Sequence, residues 1–222
     1  MSPARVRLAV RRRAPPLEAK KQPEQQRAAE TVERILQATA AALADIGFER
    51  LSTNIVCARA GLTPPALYRY FPNKYALLYE LGRRLMQRQN ALVPQRITAQ
   101  ALTGSVEELE AALAGLLIDT HRVTAETAGG VWIMRALRAV PTLQAVRLES
   151  HAEVTEAQTA LLFETLPGAD PAELRLIGRI AVEMIYAAVE MLFDEPLDVE
   201  ATARVIASMI ASQLSRVQGG EK

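Results

Sequence analysis

The chain has 222 residues, half of them hydrophobic but only 5% aromatic, with one cysteine, two histidines and a formal net charge of +1. That length accommodates a small domain plus a larger one, and the abundance of alanine and leucine favours helices over strands. A single cysteine excludes an intrachain disulfide framework and suits a reducing cytoplasm. No apolar run reaches the roughly 18 residues of a transmembrane helix, and the charged N-terminus lacks the apolar stretch of a secretory signal.

The charge is unevenly placed. Residues 1–90 carry 16 Lys/Arg against 7 Asp/Glu, and residues 91–222 carry 10 against 18. A basic front and an acidic rear suggest that the front meets a polyanion. The alternative is chance clustering of solvated charge.

In chain order, residues 1–26 set Arg5, Arg7, Arg11, Arg12, Arg13, Lys20 and Lys21 among Pro3, Pro15, Pro16 and Pro23. Such a segment holds too little apolar surface to fold. Two readings stand: a basic arm adding phosphate or minor-groove contacts, or a disordered tail. From Arg27 to Ile46 the residues Val32, Ile35, Leu36, Ala40, Leu43 and Ile46 recur at helical spacing. Ser52 or Thr53 then caps a second helix. Gly61 can take the left-handed conformation that closes it. Thr63 can cap a third helix with its hydroxyl, and Pro64 stands where a missing N–H is harmless.

Val56, Cys57, Ala60, Leu62, Leu67 and Phe71 fall where two short helices must pack. Two such helices joined at a glycine are the helix-turn-helix plan, whose second helix enters the DNA major groove. An ordinary helical hairpin has the same spacing.

The run Thr63-Pro64-Pro65-Ala66-Leu67-Tyr68-Arg69-Tyr70-Phe71-Pro72-Asn73-Lys74, followed by Ala76-Leu77-Leu78, resembles the signature of the TetR (tetracycline-repressor-like) family of bacterial transcriptional regulators. Gly47-Phe48, closing the preceding helix, belongs to the same resemblance, which covers about residues 30–80. It implies that Thr53 and Thr63 contact phosphates. Tyr68, Tyr70 and Lys74 would hold the backbone on either side of the groove, and Asn54 would reach a base edge. Arg69 is a candidate for guanine or phosphate. The first turn of the recognition helix, Pro64-Pro65-Ala66, carries no side-chain donor, so apolar contact with thymine methyls and dependence on DNA shape are expected there.

Further along, Lys74 to about Val93 reads as a fourth helix closed by Pro94. Ser105–Thr124, Val131–Val140, Pro141–Leu166, Asp170–Phe193 and Asp198–Val217 read as five more. The expected fold is therefore all-α, with about nine helices and no strand. Residues 1–26 form the arm, 27–75 the DNA-binding domain, and 76–218 a helical ligand-binding and dimerisation domain.

Two apolar stripes stand out near the C-terminus. Leu174, Ile177, Gly178, Ala181, Ile185, Ala188, Val189 and Leu192 form one; Val205, Ile206, Met209, Ile210 and Leu214 form the other. The resemblance implies that these helices pair with their copies, giving a homodimer whose two-fold axis suits a palindromic operator in double-stranded DNA. The other reading is that both stripes face the subunit's own core. The resemblance also implies a small-molecule effector, for which Met86, His121, Trp132, Met134 and His151 are the candidate contacts; isolated residues of these types are commonly core residues instead.

No metal-ligand spacing, Cys–His pair or phosphate-cradling glycine loop is present, and Asp119 and His121 stand on different faces of one helix. No enzyme, metal or other cofactor is expected. A cytoplasmic, ligand-responsive repressor is the favoured reading, and an architectural or protein-partner module of the same fold without an inducer is the rival.

Overall fold

The computed structural model describes residues 26–219; residues 1–25 of the expected basic arm lie outside them, and Gln26 opens the first helix. Helix α1 (Gln26–Arg50) is broken at Gly47, whose φ of 71° and ψ of 177° end the regular helix at Ile46. Such angles are open to glycine and to almost nothing else. Helices α2 (Thr53–Ala60), α3 (Pro64–Tyr68) and α4 (Lys74–Asn90) follow. Ile35, Leu43, Val56, Leu67, Phe71 and Leu77 are buried together, so one apolar core holds α1 to α4 in place.

After α4 come α5 (Val93–Arg96), α6 (Ala99–Thr103), α7 (Val106–Glu126), α8 (Gly130–Ala139), α9 (Gln144–Thr165), α10 (Pro171–Asp194) and α11 (Val199–Gly219). Among the described residues there is no strand. The two short helices α5 and α6 are additions to the nine expected. Pro94 lies in the first turn of α5 rather than closing α4, a position where its missing N–H costs nothing. Pro141 opens a 3₁₀ turn, Pro141–Leu143, ahead of α9.

The helix starts follow capping chemistry. Ser105 and Glu108 form a reciprocal capping box at α7, with N···O distances of 2.8 and 3.2 Å. Asn73, Asp170 and Asp198 each accept an N–H of the first turn they precede. Helix α11 lies along α7, and α10 packs against α9 and α11. Helix α4 joins the two parts: it packs on α1 and also contacts α5, α7, α8, α9 and the 3₁₀ turn. At Gly82 an added Cβ would stand 2.7 Å from Leu137 Cδ2, so a side chain there would force the buried Leu137 to move.

The stripes expected at a dimer contact face mostly inward. Leu174, Ile177, Gly178, Ile185, Ala188, Val189 and Leu192 of α10 are buried within the subunit, as are Ile210 and Leu214 of α11. Ala181 and Ile206 are half-buried. Only Val205 and Met209 lie open, 55% and 56% exposed. The physical reason is that α7 and α9 cover the predicted faces. The outer faces instead carry Leu176 and Ile180 on α10, 59% and 49% exposed.

Candidate functional site

Two regions can carry function: the surface of the helix-turn-helix and a cavity in the larger helical region. In the first, Ser52 caps α2 by accepting the Ile55 N–H at 3.3 Å, which leaves Thr53 free of that duty. Gly61 takes φ 62° and ψ 40°, and the Leu62 N–H closes the turn on the Cys57 carbonyl at 3.0 Å. Cys57 itself is buried in this packing, and desolvation raises its thiol pKa above the usual value.

Thr63 does not cap α3 through its hydroxyl, contrary to expectation. Its carbonyl accepts the N–H groups of Ala66 and Leu67 at 3.0 and 3.2 Å. Pro64 and Pro65 occupy the first two helical positions, so few unpaired N–H groups are left for a side-chain cap. The exposed Thr63 hydroxyl is therefore not engaged by the helix it precedes.

The recognition segment presents an open face. Asn54, Thr63, Pro64, Pro65, Tyr68 and Arg69 are exposed, while Thr53, Ala66 and Tyr70 are half-buried and Leu67 is the buried anchor. The Thr53 and Tyr68 hydroxyls stand 3.0 Å apart, which ties the start of α2 to the end of α3. Lys74 Nζ donates to the Leu51 carbonyl at 3.3 Å and sits 4.4 Å from the Phe48 ring centroid. Seven of the ten residues expected at the DNA contact belong to α2, α3 and the start of α4; Thr63 immediately precedes α3, and Arg69 and Tyr70 immediately follow it. Arg59 of α2 pairs with Asp45 of α1 at 2.6 Å, so that guanidinium is already engaged.

The second region is a cavity enclosed by α4, α5, α7, α9, α10 and α11, with Leu102 of α6 also in its wall. It holds about 760 Å³ of space between atoms, counted out to its mouth, of which about 80 Å³ is open to the centre of a water molecule. Most of the wall is aliphatic. Gln89, Asn90, Thr120, Gln158 and Tyr186 are its polar members. Six residues expected at the dimer contact line it instead: Ile177, Gly178, Ala181, Ile185, Ile210 and Leu214.

None of the five residues expected to touch a ligand lines this cavity. Met86 is a buried core residue. His121 stacks on Phe193 with ring centroids 4.5 Å apart, and desolvation lowers its pKa. Trp132 lies over Gly47, with its ring 3.4 Å from where a Cβ would stand, and the Arg135 guanidinium lies 5.1 Å from its centroid. It braces α8 against α1. Met134 Sδ sits 3.8 Å from Gln89 Nε2, behind the cavity wall.

His151 is fully buried beneath Tyr186 and hydrogen-bonds Glu183 through Nδ1 at 3.0 Å. Burial lowers its pKa, and the neighbouring Arg147 and Arg179 also oppose its protonation; Glu183 works in the other direction. For Glu183 itself burial opposes ionisation, but hydrogen bonds from Arg179 and His151 outweigh it and hold the carboxyl at about 2.

The residues missed are Gln89, Asn90, Gln158 and Tyr186. Gln158 was detectable as a polar residue between Val154 and Leu162, spaced four apart on one helix face. Gln89 ties the cavity to α4: it accepts from the Tyr186 hydroxyl at 3.1 Å and donates to Thr124 Oγ1 at 2.7 Å. Burial raises the Tyr186 pKa, so this phenol stays a donor.

The profile described as "Bacterial regulatory proteins, tetR family" matches residues 35–81, the helix-turn-helix and its supports. HTH-type transcriptional regulators of Mycobacterium bovis and Mycobacterium tuberculosis are 30% identical over 156 residues, covering 66% of this chain and 73% of theirs. The chain belongs to the TetR family. It is a helix-turn-helix transcriptional regulator that binds DNA.

The same fold occurs in a tetR-family transcriptional regulator from Streptomyces coelicolor, with a TM-score of 0.62, 17% identity and coverage of 87% of this chain and 90% of that one. SmeT, the repressor of the Stenotrophomonas maltophilia multidrug efflux pump SmeDEF, gives a TM-score of 0.61 at 22% identity, covering 82% and 88%. SmeT has also been solved in complex with triclosan. Among the described residues no helix is long and apolar enough to cross a membrane, and no group of histidine, cysteine and acidic side chains is placed to hold a metal ion.

Proposed function

We propose that this regulator is a homodimeric repressor that leaves a palindromic operator when a small molecule fills the cavity of the larger domain. Residues 27–75 are the reading head and 76–218 the sensing and pairing domain. Each reading head lays Pro64–Tyr70 in a major groove. Thr53, Thr63, Tyr68, Tyr70 and Lys74 hold phosphates, and Asn54 and Arg69 reach base edges. Pro64, Pro65 and Ala66 offer only apolar contact, so DNA shape and half-site spacing carry much of the selectivity.

The observation that carries this reading is the position of Gln89. It lines the cavity from α4, whose N-terminus adjoins the recognition helix, and its amide is bonded to the cavity residue Tyr186 of α10 and to Thr124 of α7. A molecule that displaces Tyr186 or Gln89 shifts α4 and with it the separation of the two heads. Reversing occupancy from about 99:1 to 1:99 needs a ligand that prefers the released state by about 10⁴-fold, or about 5.5 kcal/mol. SmeT, a repressor of the same fold that is known bound to triclosan, supports this reading by analogy.

The pairing surface we assign is the open side of α10 and α11, around Leu176, Ile180, Val205 and Met209, whose exposed apolar side chains call for a cover. Footprinting on fragments of the source genome tests the whole proposal. A protected pseudo-palindrome with half-sites roughly 34–36 Å apart, or a multiple of that, is expected. Uniform protection with no preferred sequence would contradict it.

A further inference from the structure

We infer that the cavity takes an uncharged small molecule with an apolar body and one hydrogen-bonding group, which is received by the side-chain amide of Gln158. The inference deepens the effector reading above and rests on it.

Twenty residues form the wall, and none is Asp, Glu, Lys, Arg or His. Of the five polar ones, four are already engaged. Tyr186 donates to Gln89, which donates to Thr124. Asn90 exchanges hydrogen bonds with Ser150 at 2.9 and 3.2 Å. Thr120 bonds the Leu116 carbonyl at 2.8 Å.

Gln158 alone of the five has no hydrogen-bond partner among the described residues, and it is half-buried. A side-chain amide both donates and accepts, so its NH₂ can donate to a carbonyl or hydroxyl oxygen and its oxygen can accept from a hydroxyl. Val154 and Leu162, one turn to either side, continue the apolar wall.

Two charged clusters that adjoin wall residues are internally paired. The Asp119 carboxylate, next to Thr120, is held by Arg96 and Arg122 at 2.6 Å each. Behind Tyr186, Glu183 is shared among Arg147, His151 and Arg179. A carboxylate or ammonium entering the cavity would lose its hydration and meet no counter-ion, whereas a neutral group loses little.

Calorimetric titration of the full chain with n-octanol, octanoate and octylammonium tests this. The three probes share one tail and differ in charge. Octanol binding about tenfold or more tighter than either ion is expected, from the cost of desolvating an unpaired charge. Gln158→Leu should weaken octanol several-fold at unchanged melting temperature. Either ion binding as tightly as octanol, or none of the three binding, overturns the inference.

DNA anisotropy with the same probes separates it from the effector reading. Octanol that binds but leaves DNA affinity unchanged contradicts the effector reading and leaves the ligand class standing. A charged probe that binds more tightly and releases DNA does the reverse.

Discussion

The hydroxyls of Thr53 and Tyr68 lie 3.0 Å apart, 15 residues apart in sequence, and link the first residue of α2 to the last of α3. Tyr68 is exposed and Thr53 half-buried, so this pair fixes the spacing of two surface hydroxyls, proposed above to hold phosphates, more than it stabilises the fold. Tyr68→Phe is expected to change unfolding free energy by less than about 0.5 kcal/mol. It should weaken operator binding by about tenfold, the loss of one hydrogen bond to a charged group. Denaturant titration and anisotropy on one preparation measure both.

Lys74 is held by contacts within the fold and is proposed to touch DNA as well. Its ammonium donates to the Leu51 carbonyl and faces the Phe48 ring at 4.4 Å. Lys74→Ala should cost about 1 kcal/mol of stability. It should also reduce the slope of log affinity against log salt by about one, if the ammonium neutralises one phosphate. An unchanged slope would assign the lysine to the fold alone.

Two glycines predict opposite outcomes for the same substitution. At Gly82 a new Cβ meets Leu137 at 2.7 Å, so Gly82→Ala should destabilise by about 1–3 kcal/mol through overpacking of α4 on α8. At Gly178 the nearest atom is Thr159 Oγ1 at 3.6 Å, an ordinary contact. Gly178→Ala should therefore stabilise α10 by roughly 0.5–1 kcal/mol, the helix preference of alanine over glycine. Thermal melts of the two variants decide it.

Such contrasts depend on packing partners, and there the sequence stops being informative. The helix-turn-helix was readable because its signals are local: Gly61 after Ala60, proline at the start of α3, and apolar residues at fixed offsets. The α10 stripe is apolar as its spacing predicts, and most of it is buried within the subunit, the second of the two readings its sequence allows. A 3.6-residue period says that a face is buried, without saying whether by α7 and α9 or by a second subunit. Ile177, Ile185, Ile210 and Leu214 went to the cavity wall for that reason. The residues expected to touch a ligand have polar tips or soft side chains, whereas the cavity wall is mostly aliphatic. Trp132 and His121 found partners in Gly47 and Phe193 that only the folded chain brings near. Helices α5 and α6, four and five residues long, are too short to show a period.

Stability should depend on pH in two steps. Burial lowers the pKa of His151 and of His121 from the ordinary 6.5, so the unfolded chain binds those protons first. Stability is therefore full above about 6.5 and falls as pH drops through that value. Glu183, held at about 2 against an ordinary 4.5, adds stability that is present above 4.5 and is lost as pH falls towards 2. Chemical denaturation across this range should show the upper step reduced in His121→Gln and in His151→Gln. The lower step should persist in His121→Gln. Stability independent of pH between 7 and 5 would contradict this placement of the histidines.

The open side of α10 and α11 gives a further prediction. Met209→Glu should convert a dimer to a monomer in analytical ultracentrifugation, with no loss of subunit folding, because Met209 is 56% exposed. The same variant should lose most of its operator affinity, since two half-sites are then read by one head at a time. A dimer of undiminished strength would place the contact elsewhere.

Fluorescence anisotropy on the DNA immediately upstream of the protein's own gene, against unrelated DNA and over a range of salt, tests the central claim most directly. Binding far tighter than the control, and persisting near physiological salt, is the predicted result. Equal and steeply salt-sensitive binding to both DNAs would mean backbone contact alone and would contradict an operator-reading repressor acting at its own promoter.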